Sequence, residues 1–231
     1  MKAVTAVETP ALLINLDAYE SNVKRMQDAV MAMDGVKLRP HAKCHKSSRL
    51  GHYQVDAGAV GLCAAKLTEL EVLVGGGHKD VLLTNQIVSK EKMRRLAGLL
   101  TEERKLGVCV DNEANVLALN EAVKERGARG KLDVYIEVDV GQKRCGVVPG
   151  LPCATLAETI IQQCPSLRLR GIQAYSGWNQ HIQTLDKRAD ATAEVVSKVQ
   201  ACLHALQEKD ISTKDLIITG GGTGTFTLEG T

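Results

Sequence analysis

The sequence lacks a charge imbalance: 29 Lys and Arg stand against 27 Asp and Glu, for a formal charge of +2. Nucleic acid and an anionic membrane surface are therefore poor partners, and a small ligand is the better expectation. A cysteine framework is lacking too. The seven cysteines (Cys44, Cys63, Cys109, Cys145, Cys153, Cys164, Cys202) are odd in number, scattered and without a CxxC pair, which argues against a disulfide scaffold or a zinc pattern. The amino-terminal MKAVTAVETPALLINLDAYE holds no apolar run long enough for a signal peptide or membrane span before its acidic residues begin, so a cytoplasmic protein with reduced thiols is expected. Nor does a Ser/Pro-rich linker or a repeat period divide the chain. Its 231 residues, 44% hydrophobic and 24% charged, read as one domain, residues 1–231, large enough to bury a substantial core.

What is present is an alternation of short Val, Ile and Leu-rich segments with longer amphipathic ones, the signature of βα units. Seven strands are predicted, near residues 36–42, 59–64, 80–85, 106–111, 132–140, 167–176 and 215–220. Helical patterns lie between them, among them residues 89–105 with Ser89 as N-cap, 112–127 ending at Gly127, and 186–209. Each reads as a crossover between parallel strands. A doubly wound sheet and an eight-stranded barrel both satisfy this pattern.

The polar residues cluster at strand ends. In RPHAKCHK (39–46), period-2 alternation puts Lys37, Arg39, His41 and Lys43 on one face, running toward the carboxyl end where both architectures carry their ligand. The fifth strand runs into EVDVGQKRCGV, with Glu137, Asp139 and Arg144 beside a glycine turn, and the sixth into GIQAYSGWNQH, where Gln173 and Tyr175 share a face and His181 follows. The seventh ends in TGGGTGT, whose glycines free the backbone N–H groups to turn toward one anion, with Thr223 and Thr225 as hydroxyl donors. No Lys-Ser or Lys-Thr follows, so this is not a Walker A loop, and the dinucleotide fingerprint is incomplete. The ligand implied is compact, anionic and reactive toward an amine. Pyridoxal 5'-phosphate meets each need: its aldehyde wants a lysine, its phosphate a glycine nest, and its ring hydrogen-bonding partners.

Those four motifs, in that order and spanning essentially the whole chain, resemble the D-threonine aldolase, D-3-hydroxyaspartate aldolase and D-serine dehydratase group of fold-type III pyridoxal phosphate enzymes. The resemblance implies a TIM-like (β/α)8 barrel of the alanine racemase type, with seven strands identifiable and the eighth missing. It implies Lys43 as the Schiff-base lysine, with His41 and His181 as the accompanying catalytic candidates. It further implies Arg144 near the cofactor and substrate anions, Gln173 and Tyr175 around the ring, and Gly221, Gly222 and Thr223 at the phosphate. The remaining histidines, His45, His52, His78 and His204, are expected at the surface or in support.

Two departures from the group stand out. Several of its aldolases carry histidine where this chain has Ser176, a poor base near neutral pH, and His181 is the candidate substitute. The group's members also continue past the glycine motif into a β-domain with a divalent-metal site, with which residues 1–15 would pair. No metal ligands are assigned here. Seven strands leave sheet edges to be covered, and a homo-oligomer, most simply a dimer, is expected. The function implied is a pyridoxal phosphate-dependent lyase splitting D-3-hydroxy amino acids into glycine and an aldehyde. D-serine dehydratase-like elimination and a non-catalytic or truncated pyridoxal phosphate-binding barrel are the alternatives.

Overall fold

The computed structural model describes residues 6–230. Six of the seven expected strands form within it: β1 (Leu62–Ala64), β2 (Asp80–Leu83), β3 (Lys105–Val110), β4 (Leu132–Glu137), β5 (Leu167–Ala174) and β6 (Ile217–Gly220). Every pairing is parallel, and the order across the sheet is the order along the chain. A doubly wound sheet would reverse at a switch point. Here each crossover leads to the next neighbour on the same side, which is the winding of a barrel, and the strands form a curled half-barrel.

The strand expected at residues 36–42 does not form. Its segment docks one-sidedly on the start of the sheet: the carbonyls of Leu38 and Pro40 accept from the N–H groups of Val60 (2.9 Å) and Cys63 (2.8 Å), and His41 makes a single bridge to Cys63. Pro40 has no N–H to extend a ladder, and the chain leaves the extended conformation at once for a 3-10 turn, Ala42–Cys44.

Helices α1 (Leu16–Met31) and α2 (Ser48–Asp56) precede the sheet. The crossovers are α3 (Leu67–Gly75), α4 (Lys90–Gly98), α5 (Glu113–Arg126), α6 (Leu151–Gln163) and α7 (Leu185–Glu208), and a short α8 (Phe226–Glu229) follows β6. Local chemistry sets several boundaries. Asn112 Oδ1 accepts from the Asn115 N–H at 3.2 Å to start α5, and Gly127, at φ 59°, ends it in the left-handed conformation that a side chain resists. The helix expected over residues 89–105 stops at Gly98, because Lys105 is already paired with Asp80 as the first residue of β3. None of the helices among the described residues is long and apolar enough to cross a membrane.

The two faces of the sheet differ. Leu62, Leu83, Leu106, Val108, Leu132, Ile136 and Ile172 point outward and pack, fully buried, against Leu70, Leu96, Leu119, Ile160 and Leu206 of the helices. The inner face is layered. At the amino end Arg39 pairs with Asp80, and Arg168 grips Asp133 through Nε at 2.6 Å and Nη2 at 3.0 Å. Above them Cys63, Leu82, Cys109 and Tyr135 form a small apolar floor. Gly107 makes room for it, since a Cβ there would lie 2.9 Å from the Tyr135 ring and 3.0 Å from Leu82. Burial in this layer pushes the Tyr135 hydroxyl and the Cys63 thiol up to about 12, so both stay neutral. Polar side chains return only at the carboxyl end.

The tightest approach in the sheet is testable. A Cβ on Gly171 of β5 would lie 1.9 Å from the Ile217 carbonyl oxygen of β6 and 2.8 Å from its carbon, so Gly171→Ala must push the two backbones apart. We expect it to cost on the order of 3 kcal/mol in chemical denaturation. Gly75→Ala, which meets nothing within 4 Å on α3, should be neutral or stabilising by up to about 1 kcal/mol.

Candidate functional site

Parallel strands in chain order bring the turns that follow them to one rim, and the predicted site residues can be followed around it. Lys43 sits in the Ala42–Cys44 turn, exposed, with no side-chain hydrogen bond or ion pair among the described residues. His41 caps this turn. Its Nδ1 accepts from the Lys43 backbone N–H at 3.3 Å, and its Nε2 lies 3.2 Å from Thr84 Oγ1, just beyond β2. Burial, reinforced by the charge of Lys43, lowers the His41 pKa to about 4, so the ring is neutral. Arg39 does not join them at this rim. It shares the face of His41 but pairs with Asp80 at the opposite end of β2, because one strand's rise separates Asp80 from Thr84.

At the next strand ends a buried carboxylate organises the rim. Glu137, the last residue of β4, accepts from Gln86 Nε2 at 2.7 Å and faces the half-exposed Arg144 at 3.6 Å. Burial raises its pKa, opposed by the bonds from Gln86 and Arg144 and helped by the nearby Asp111. The loop bearing Arg144 is tied down at several points: Asp139 Oδ1 accepts from the Gly141 and Lys143 N–H groups (3.0 and 2.9 Å), Asp111 Oδ2 accepts from Gly146 N–H (2.9 Å), and Gln142 Oε1 accepts from Gly177 N–H (2.6 Å). A Cβ on Gly146, at φ 108°, would lie 2.5 Å from the Asp139 nitrogen, so only glycine lets the loop return this closely.

Gln173 of β5 is paired in register with Glu137 on one side and Thr219 on the other. Its side chain is buried and its Oε1 has no partner. Tyr175 follows, half-buried, without a side-chain hydrogen bond among the described residues. Ser176 is buried, and its hydroxyl donates to Asn179 Oδ1 at 2.9 Å, which leaves it committed to the turn. His181 is exposed at the end of the 3-10 turn Trp178–His181.

The glycine motif closes the rim. Gly221 adopts φ 69°, and the loop turns its N–H groups onto oxygens: Gly224 N–H donates to Gln180 Oε1 at 2.8 Å, and Gly222 N–H to Thr225 Oγ1 at 3.2 Å. Gln180 Nε2 in turn donates to Thr225 Oγ1 at 2.8 Å, and the Thr225 hydroxyl donates to Glu229 at 2.9 Å. Thr223 is exposed at the tip. Thr84, Gln86 and Gln180 are absent from the set predicted by sequence. The polar run TNQ directly after DVLL carried the same strand-end signal that marks the other motifs, whereas nothing local singled out Gln180.

Of the other histidines, His45 bonds Gln54 at 3.1 Å. His78 is buried, not superficial: it stacks on His52 with ring centroids 4.1 Å apart and bonds the Ser48 carbonyl at 3.0 Å. No group of three or more His, Cys, Asp or Glu among the described residues is arranged to hold a metal ion.

Comparison with known proteins places the fold in a family. The family described as alanine racemase, N-terminal domain, matches residues 14–229. The chain is 34% identical over 224 residues to a 3-hydroxy-D-aspartate aldolase of Paracoccus denitrificans strain Pd 1222, covering 96% of this chain and 56% of that protein. It is 37% identical over 218 residues to a D-threonine aldolase of an Arthrobacter species, covering 94% and 56%. The crystal structure of D-threonine aldolase from Filomicrobium marinum superposes with a TM-score of 0.90 at 37% identity, over 98% of this chain and 59% of that one. The chain therefore spans a little over half the length of these relatives. Since the match runs from the start of α1 to the end of α8 and the strand order agrees with it, the chain belongs to the alanine racemase N-terminal domain family.

Proposed function

We propose that this chain binds pyridoxal phosphate at the carboxyl-end rim and serves a lyase that cleaves D-3-hydroxy amino acids to glycine and an aldehyde. The observation that carries the reading is the rim itself: an unpaired lysine, a buried acceptor without a partner and a glycine loop already holding oxygens, all at the carboxyl end of one parallel sheet. Each suits the cofactor. Lys43 offers its amine to the aldehyde; Gln173 offers its orphaned Oε1 to a donor on the ring; the Gly222 and Gly224 N–H groups, which hold Thr225 and Gln180 oxygens, offer themselves to phosphate oxygens. When bound, the cofactor supplies an electron sink for an amino acid joined to it through the amine. The chain's own residues bind and orient. Arg144, kept in place by Glu137 and its tethered loop, meets an anionic group of cofactor or substrate. Cleaving Cα–Cβ also needs a base for the substrate hydroxyl. Ser176 is spent on Asn179, and the exposed His181 is the candidate within this chain. Loss of water from the same substrates is the second reading, favoured by a D-threo-3-hydroxyaspartate dehydratase among the relatives. Incubation with D-threonine separates the two: acetaldehyde and glycine report cleavage, ammonia and a keto acid report elimination, and absence of both counts against lyase function for this chain.

The cofactor assignment has a direct check. Protein mixed with pyridoxal phosphate should show a Schiff-base absorption band, and borohydride reduction followed by peptide mapping should put the pyridoxyl group on Lys43. Lys43→Ala should abolish the band and Lys46→Ala should keep it. A label found instead on Lys37, Lys46 or Lys66 would overturn the assignment.

Gly222→Val tests the loop. The added Cβ would come within 2.5 Å of Gln180 Oε1, the far end of a flexible side chain, so the fold should survive while the space at the nest fills. Cofactor affinity is expected to fall about ten-fold or more, with circular dichroism unchanged. Unaltered affinity would make the glycines a turn and nothing more.

A further inference from the structure

Both ring nitrogens of His41 are taken, and the partners fix which one carries the proton. Nδ1 faces the Lys43 backbone N–H, which can only donate, so Nδ1 must present its lone pair. Nε2 faces Thr84 Oγ1. That hydroxyl is also 3.2 Å from the Ala64 carbonyl oxygen, which can only accept, so its one proton goes there and a lone pair is left for the ring. The two constraints are independent and agree: the imidazole is neutral, with its hydrogen on Nε2.

We infer that Thr84 and His41 form a clamp that sets the turn carrying Lys43, Thr84 being a positioning residue and His41 acting through its bond to the backbone and not as a proton carrier. The inference rests on the reading of Lys43 as the reactive amine. The clamp runs from the Ala64 carbonyl of β1, through the Thr84 hydroxyl beyond β2, through the ring, to the main chain of Lys43. It holds the backbone and leaves the ammonium free. The turn needs such a hold, because it is only three residues long and the chain takes the left-handed conformation, φ 51°, at Lys46 just beyond it. Protonation would put a second N–H against the Lys43 N–H and break the clamp. The groups facing the ring are Lys43 and His45 from its own segment, Glu69 from α3 and Cys63 from β1. Burial and the two cations depress the pKa; Glu69 and the Cys63 backbone oppose them. A depressed imidazole pKa means that the clamp's contribution to stability is full above the ordinary value of about 6.5 and is lost as pH falls from there toward about 4.

The test uses long-range proton–nitrogen spectra of the imidazoles in protein labelled with nitrogen-15 histidine, recorded without cofactor and assigned with His41→Asn. His41 is expected in the Nε2–H form, unchanged between about pH 8 and about pH 6. In the second arm, borohydride trapping of pyridoxal phosphate on Lys43 should fall several-fold to about ten-fold in Thr84→Val, the worth of one lost hydrogen bond, and recover in Thr84→Ser, which restores the hydroxyl. An Nδ1–H form, a midpoint near the ordinary imidazole value, or Thr84→Val trapping like the parent protein would each overturn the clamp. Should the parent protein trap nothing while His41 shows the Nε2–H form, the clamp stands on its spectrum and the cofactor reading of the rim falls.

Discussion

Parallel pairing in chain order is the constraint from which the rest of the molecule follows. It sends every strand's carboxyl end to the same rim, so residues 41, 84, 137, 173 and 221, far apart in the chain, follow one another along one edge. Curling then makes the two faces unequal. The outer face is covered by helices and is uniformly aliphatic, while the inner face alternates charge, apolar floor and polar rim along two strands, as in Asp80, Leu82, Thr84 and Asp133, Tyr135, Glu137. The ion pairs at one end and the hydrogen-bonded rim at the other are the same inward side of the same strands, separated by about four residues of rise.

The rim is held together by carboxylates at its strand ends. Glu137 is costly to bury as a charge, and its bonds to Gln86 and Arg144 offset that cost while joining the ends of two strands to a loop. Asp111 and Asp139 hold the same loop by accepting backbone N–H groups, so three carboxylates from the ends of β3 and β4 fix the approach of a single arginine. On the proposed reading, a small anion entering here would meet a cation that has already been oriented.

Much of this was legible in the sequence, and the failures have physical reasons. Strands buried on both faces read as continuous apolar runs, which is why β2, β3 and β4 were recognisable, and Asn112 with Gly127 bracketed α5 by cap chemistry alone. Parity misled at residues 36–42. It held as far as His41, but a 3-10 turn advances three residues per turn and not two, so the orientation of Lys43 cannot be counted from Arg39. The choice of Lys43 therefore rests on the motif and not on the alternation. Gln86 meeting Glu137 across 51 residues requires the strand order, and the place of Gln180 inside the glycine loop depends on a turn whose path no periodicity encodes.

The Gln180 contact changes what ligand capture means for this loop. A side-chain amide oxygen already satisfies the Gly224 N–H, so on the proposed phosphate-site reading an arriving anion would not fill a vacancy but exchange with an internal competitor held at high local concentration. The apparent affinity would then be the intrinsic one scaled down by the fraction of molecules in which Gln180 has swung away. The same competitor keeps the backbone amides hydrogen-bonded when no anion is near, so the loop retains its shape between encounters.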